Sequence, residues 1–337
     1  MKKKIVVSIL LGLIIICIIK IGCCRNMENQ FTNIGEHLTP LAMADGGNYP
    51  ARVNDYFKFY GLDIDANNVE HIFGTFESGG YTLAGHIYKP AKYKATVFIA
   101  HGYFNHCGQL NHLIENLLKN DFAVACFDLP GHGLSSGPRC SIENFSEYSK
   151  ALIDFTKATT TRVNGPYHFI GHSTGAVAYI DYALKNKDNV FDKVVLAAPL
   201  VHCVGWEPSK IGCNEKLQFI KSIPRVFRKN SSDADFLNFV KNIDPLQSKT
   251  MPLQWTRALH IWNDKIANLP PCEKELKIIQ GTSDTTVDWQ FNMKFLETKF
   301  TQVHVYMIEN ANHELFNESS DMRSDVFSLI IDYLNNN

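Results

Sequence analysis

The sequence predicts an α/β protein: a mostly parallel sheet with helices on both faces and an inserted helical cap. Three observations carry that reading. From residue 95 onward, strand-like runs alternate with helix-length stretches. The runs are apolar almost throughout, as strands covered on both faces of a parallel sheet are. One long interval, between Pro199 and Leu276, then breaks the rhythm. Composition agrees, since 337 residues that are 45% hydrophobic, 12% aromatic and 20% charged can cover a sizeable core. Small disulfide scaffolds, collagen-like chains and disordered chains are excluded. Lys+Arg number 33 against Asp+Glu 34, a formal net charge of -1, so no basic excess draws nucleic acid.

In chain order, residues 1–25 read MKKKIVVSILLGLIIICIIKIGCCR, with three lysines, an apolar run from Ile5 to Ile19, then Lys20. A run of about 15 residues spans about 22 Å as a helix, short of the ~30 Å hydrocarbon core. It is apolar on every face, unlike an ordinary core helix. The basic start and apolar centre fit a signal, but the usual small-residue cleavage site is missing. The segment is therefore expected to be an N-terminal membrane anchor or a lipoprotein-type signal acylated at Cys23, where Lys20-Ile21-Gly22-Cys23 is similar to a lipobox. Membrane association through this segment, an exported body and a place in the cell envelope follow as expectations. The leader holds five cations and no acid, so the rest of the chain is net acidic.

Residues 26–65 are polar and turn-rich and read as a tether, with a short helical pattern from Val53 to Tyr60. HIFGTF and YTLAGHIYKP then form a hairpin around Gly79-Gly80. Strands follow at 95–101, 122–128, 166–172, 193–199, 276–281 and 303–309. The domain core is placed at 66–199 and 276–337, and the cap at 200–275, because a structureless loop of that length would be improbable. Nine cysteines show no paired C-x-x-C spacing, so no metal is expected. Cys203 and Cys213 are close enough for a candidate bridge, although buried free thiols are the commoner outcome.

Gly171-His172-Ser173-Thr174-Gly175 is a G-x-S-x-G between a strand and a helix. In that context Ser sits on a strained turn, and small residues two positions away relieve the crowding. A serine nucleophile needs a base, and the base needs an orienting carboxylate. Asp284 follows strand LKIIQG and His313 follows VHVYMIE, so all three residues fall at C-terminal strand ends, where open α/β sheets bind ligands. Asp288 is the runner-up acid but is better placed to cap the next helix. His101-Gly102-Tyr103 follows the first core strand, so the backbone amides of Tyr103 and Thr174 are the expected oxyanion donors. His101 is expected to order its loop, and Asp128 and Ser135 to bond the turn DLPGHGLS.

HGYFNHCGQLNHLIENLLKNDFAVACFDLPGHGLSSG, GHSTG, QGTSDTTVD and NANHELFNE together resemble the lysophospholipase and monoacylglycerol lipase branch of the α/β-hydrolases, often labelled serine aminopeptidase-like. The resemblance runs over most of 69–335 and is loose across the cap. It implies an α/β-hydrolase fold and a serine carboxylester hydrolase without cofactor or metal. Ser173 would be nucleophile, Asp284 acid and His313 base, and Tyr103 and Thr174 would form the oxyanion hole. A lipid or small ester is the implied substrate, and Trp206, Trp255 and Trp262 would give the cap an apolar, aromatic lining. Two alternatives are an aminopeptidase or amidase on the same triad, for which Glu207, Asp233, Asp235 and Asp264 could meet a substrate amine, and a catalytically silent binding protein on this fold.

Overall fold

The computed structural model describes residues 31, 33–64, 69–186, 188–213 and 219–336. Near its start lies helix α1 (Ala51–Tyr60), which Gly61 ends in the left-handed region at φ 64°. Val53, Tyr56, Phe57 and Tyr60 recur at helical spacing and bury one face of α1 together with Phe31, Ile34 and Leu62. This stretch, expected to be a tether, is instead packed into the domain. Its few apolar residues are spread among polar ones, so average composition conceals them.

Strands β1 (Val69–Ser78) and β2 (Tyr81–Pro90) pair antiparallel, with Ser78 opposite Tyr81. Gly79 and Gly80 form the two-residue turn at φ 60° and 84°, a geometry that suits the twist of the hairpin and that glycine reaches without strain. Then come β3 (Ala95–Ala100), α2 (Asn111–Lys119), β4 (Phe122–Phe127), α3 (Ser146–Thr159), β5 (Tyr167–His172), α4 (Thr174–Lys185) and β6 (Phe191–Ala197). The interval after β6 holds the short helix α5 (Trp206–Ser209), β7 (Ser222–Pro224), α6 (Ala234–Asn238), β8 (Thr250–Pro252) and α7 (Leu253–Ala267). The chain finishes with β9 (Cys272–Gly281), α8 (Trp289–Lys299), β10 (Phe300–Ile308) and α9 (Ser320–Asn335).

The main sheet runs β1-β2-β4-β3-β5-β6-β9-β10, parallel from β4 to β10, with the hairpin antiparallel at one edge. This is the α/β-hydrolase arrangement the sequence implies. Alternate residues of each strand face opposite layers. Phe98 enters one core with Phe127, Phe155, Phe169 and Tyr179, while Val97 and Ile99 enter the other with Ile114, Leu117 and Ile330. Full burial of each such side chain is worth about 1.5–3 kcal/mol before chain entropy is counted. Strands buried from both sides leave no polar face, which is why the core strands read as unbroken apolar runs.

Between β6 and β9 the chain is not wholly helical: β7 and β8 form a two-stranded ribbon. Each is three residues long and ends in proline, too short for a period of two to register. Helix α7 turns Trp255 and Trp262 into the same core as α3 and α4. Trp262 Nε1 donates to Asp181 Oδ1 at 2.9 Å, and Trp255 Nε1 to the Tyr148 hydroxyl at 3.2 Å. Two of the three tryptophans expected to line a cap are therefore core residues. Trp206 instead stacks on His202 in an open cleft, 3.8 Å between ring centroids.

Two further expectations change. Among the described residues no helix is long and apolar enough to cross a membrane. That finding overturns the placement of the protein as a membrane-anchored, exported body in the cell envelope. The leader on which the placement rested, residues 1–25 with Cys23, lies outside the described residues. Cys203 and Cys213 are free thiols, as are Cys107, Cys126, Cys140 and Cys272, so the candidate bridge is not formed.

Candidate active site

The turn between β5 and α4 sets the site. Ser173 stands at φ 50°, ψ −112°, a conformation a non-glycine residue holds only when its surroundings impose it. Its N–H donates to Ala197 O at 2.9 Å, and its carbonyl accepts from Ala176 N and Leu200 N. The flanking glycines permit this. A Cβ on Gly175 would lie 2.0 Å from the Ala100 carbonyl oxygen, and one on Gly171 would lie 2.8 Å from the Ala176 backbone. Neither clash can be relieved by a side chain moving, because both partners are backbone.

Ser173 Oγ lies 3.0 Å from His313 Nε2, and His313 Nδ1 lies 2.8 Å from Asp284 Oδ2. The three expected residues thus form one hydrogen-bonded line, buried throughout. Asp284 Oδ2 also accepts from Gln280 Nε2 at 3.0 Å, while Oδ1 accepts from the N–H groups of Thr286 and Val287 at 2.7 and 3.2 Å. Burial opposes the Asp284 charge, but His313 and these donors outweigh it and hold the carboxyl below its usual pKa. For His313, burial opposes the cation, yet the Asp284 and Glu314 carboxylates more than compensate and the pKa is raised. Asp288, the runner-up acid, caps α8 by accepting from Phe291 N at 3.2 Å.

The loop after β3 carries Tyr103, one of the two residues expected to donate to an oxyanion. His101 Nδ1–H donates to Gly102 O at 2.8 Å, and His101 Nε2 accepts from Leu129 N at 2.9 Å, so this imidazole orders the loop as expected. Asn105 N–H also donates to Gly102 O, at 3.1 Å. With its carbonyl held from two sides, the planar trans peptide between Gly102 and Tyr103 directs the Tyr103 N–H the opposite way. Among the described residues neither the Tyr103 nor the Thr174 N–H has a backbone acceptor. Below the loop, Asp128 accepts from Cys107 N and Leu134 N, each at 2.7 Å, and Ser135 Oγ donates to Asp128 O.

Several residues around the site carried no signal in the sequence. His172 Nε2 lies 2.9 Å from the His313 carbonyl oxygen, and burial lowers its pKa, so it packs there as a neutral ring. Glu314 Oε2 accepts from Asn105 Nδ2 at 2.9 Å and Oε1 from Asn230 Nδ2 at 3.3 Å. Arg225 lies between two rings, 4.0 Å from the Phe104 centroid and 4.4 Å from that of Phe227. Asp244 gathers His106, Gln109, Tyr60 and the Leu246 N–H on its two oxygens. Asn230, Arg225 and Asp244 lie on the interval after β6, whereas Asn105, His106, Gln109 and Glu314 lie inside the quoted segments without a role that their spacing reveals, and His172 fills the variable position of its motif. Among the described residues no cluster of His, Cys, Asp and Glu could hold a metal ion.

Comparison with known proteins bears on this geometry. The family model described as serine aminopeptidase, S33, matches residues 91–320. A protein named monoglyceride lipase homolog from Monkeypox virus is 26% identical over 251 residues, covering 72% of this chain and 90% of that one. Monoglyceride lipase of Homo sapiens is 30% identical over 250 residues, covering 69% and 80%. The crystal structure of a soluble variant of monoglyceride lipase from Saccharomyces cerevisiae superposes with a TM-score of 0.67 at 17% identity, covering 81% of this chain and 97% of that one. At that identity the likeness speaks for the fold.

Proposed function

The chain belongs to the serine aminopeptidase S33 family of α/β-hydrolases and is an ester-hydrolysing enzyme, and from that premise we propose that it cleaves monoacylglycerol or lysophospholipid esters through an acyl-enzyme on Ser173. One observation carries the reading: the line Ser173 Oγ, His313 Nε2, His313 Nδ1, Asp284 Oδ2, with contacts of 3.0 and 2.8 Å. His313 takes the Ser173 proton as the oxygen attacks the acyl carbonyl. The N–H groups of Tyr103 and Thr174 receive the oxyanion, and the imidazolium returns its proton to the departing glycerol oxygen. Water, deprotonated by His313, then attacks the acyl-enzyme and frees the fatty acid. Asp284 stays ionised and holds the ring with Nε2 toward Ser173.

Within the expected cap, residues 200–275, we read the stretch around Arg228 and Asn230 as the substrate-facing part of the protein. Arg228 Nη1 donates to Thr285 O at 3.0 Å, beside Asp284, and Asn230 reaches Glu314, beside His313, so this stretch crosses the mouth of the site. Of the acids that could meet a substrate amine, Glu207 is paired with Lys210 at 2.7 Å and Asp233 caps α6. Asp264 lines the cleft beside Trp206, so the preference for an ester over an aminopeptidase substrate rests on the relatives named monoglyceride lipase. The test is hydrolysis of monoacylglycerols, lysophospholipids and aminoacyl anilides by the wild type and by Ser173→Ala. Esterase activity that falls by at least about a thousandfold in the variant is expected. Undiminished hydrolysis would refute the assignment, and a preference for the anilides would replace the substrate.

A further inference from the structure

Glu314 is 5% exposed, carries a carboxylate, and has no cation within ion-pair distance among the described residues. Burying such a group is costly unless its oxygens are satisfied. Here they are satisfied by two amides from distant parts of the chain: Asn105, on the loop after β3, and Asn230, on the stretch crossing the site. The Glu314 N–H closes the arrangement by donating to Asn230 O at 2.9 Å. Asn105 is the residue whose own N–H holds the Gly102 carbonyl and so sets the direction of the Tyr103 N–H. A continuous path therefore runs from the residue beside the base, through Asn105 and the Gly102 carbonyl, to an oxyanion donor.

Resting on the reading of Ser173, Asp284 and His313 as nucleophile, acid and base, we propose that Glu314 is a positioning residue that couples the two halves of the catalytic apparatus. Its carboxylate fixes the oxyanion loop through Asn105, and its charge stands beside the ring that becomes cationic in the transition state. The groups that face this pair are few. Neutral His172 ends β5 and Ser173 follows it in the turn, Asp284 comes from the loop after β9, Asn105 from the loop after β3, and Asn230 and Arg225 from the stretch after β7. Asp284 alone cannot address the oxyanion loop, because its oxygens are committed to His313, Gln280, Thr286 and Val287.

Glu314→Gln tests the proposal, since it keeps the shape, removes the charge and can satisfy only one of the two amide donors. Measured on a soluble short-chain ester across pH, kcat should fall about tenfold with KM little changed. The pKa of the acid limb of kcat/KM should fall by about one unit, because the imidazolium loses a neighbouring anion. Asn105→Ala keeps the charge and removes the principal contact. It should lower kcat while leaving the acid limb near its wild-type position, and it serves equally if Glu314→Gln fails to fold. A Glu314→Gln profile that superposes on the wild type, or an Asn105→Ala enzyme with unaltered kcat, overturns the coupling and leaves Glu314 a folding residue. Fluorophosphonate labelling of wild type and Ser173→Ala is run alongside. Failure to label wild-type Ser173 would sink the underlying reading instead.

Discussion

His313 carries the most consequential charge in the site. With its pKa raised by Asp284 and Glu314 against the opposing effect of burial, it remains protonated to a higher pH than a free imidazole. If His313 is the base proposed above, its protonated form cannot accept the Ser173 proton, and kcat/KM should climb with pH through a value above the ordinary 6.5. A pH series on a soluble ester checks this, and an acid limb at or below 6.5 would contradict it. The hairpin holds the opposite case. His86 is fully buried, with Nδ1 3.0 Å from His71 Nε2, and burial lowers the pKa of His86 well below its usual value and that of His71 to about 3. Below about pH 6.5 the unfolded chain binds protons that the folded one refuses, so stability falls as the pH drops from there. The melting temperature should decline between pH 7 and 4, and His86→Phe should flatten that decline even if it lowers the plateau. The legible residues were Ser173, Asp284 and His313, because a motif, a chain order and strand ends constrain them. Gln280 and Glu314 stand inside quoted segments, but they and Asn230 belong to polar types that occur anywhere on a surface, and only tertiary contact reveals what each one holds.

Elements were readable where their burial left a periodic trace. The Gly79-Gly80 hairpin and the parallel strands emerge from turn chemistry and apolar runs, and the observed strands differ mainly at their ends, β9 starting at Cys272 and β10 at Phe300. Helix α1 also emerged, as the helical pattern from Val53 to Tyr60, although its packing into the domain did not; the β7–β8 ribbon was too short to register. At this scale the close approach of α4 to β3 is the sharpest constraint. Gly175→Ala places a methyl 2.0 Å from the Ala100 carbonyl, so α4 must shift and carry Ser173 with it. Hydrolysis should drop by about a hundredfold even where circular dichroism shows a folded protein. Asp244 joins α1, the oxyanion loop and the stretch after α6 through bonds to Tyr60, His106 and Leu246. Asp244→Ala strands those buried donors and should cost about 3–5 kcal/mol in urea unfolding. A loss under 1 kcal/mol would mean the elements are held together elsewhere.

Across the whole molecule, the sheet order brings the strand ends of β3, β5, β9 and β10 to one rim, and the fold class was legible because alternating strands and helices imply a parallel sheet covered on both faces, although not the order of its strands. What the alternation could not convey is how the stretch after β6 lies over the rim, since its contacts to Thr285 and Glu314 are single side-chain bonds without periodicity. Nor could it show that α7 belongs to the core beneath.

The bonds that complete the site join residues far apart along the chain: 140 positions separate Ser173 from His313, 184 separate Tyr60 from Asp244, and 209 separate Asn105 from Glu314. Closing loops of that size comes late, after local helices and hairpins have formed. The enzyme therefore carries its own clock. On dilution from denaturant, far-ultraviolet dichroism should recover first, tryptophan fluorescence from the Trp255 and Trp262 core next, and ester turnover last. On the proposed mechanism a half-folded chain would have helices and a hydrophobic interior but no hydrolytic power, and Ser173 would be armed only in the finished protein.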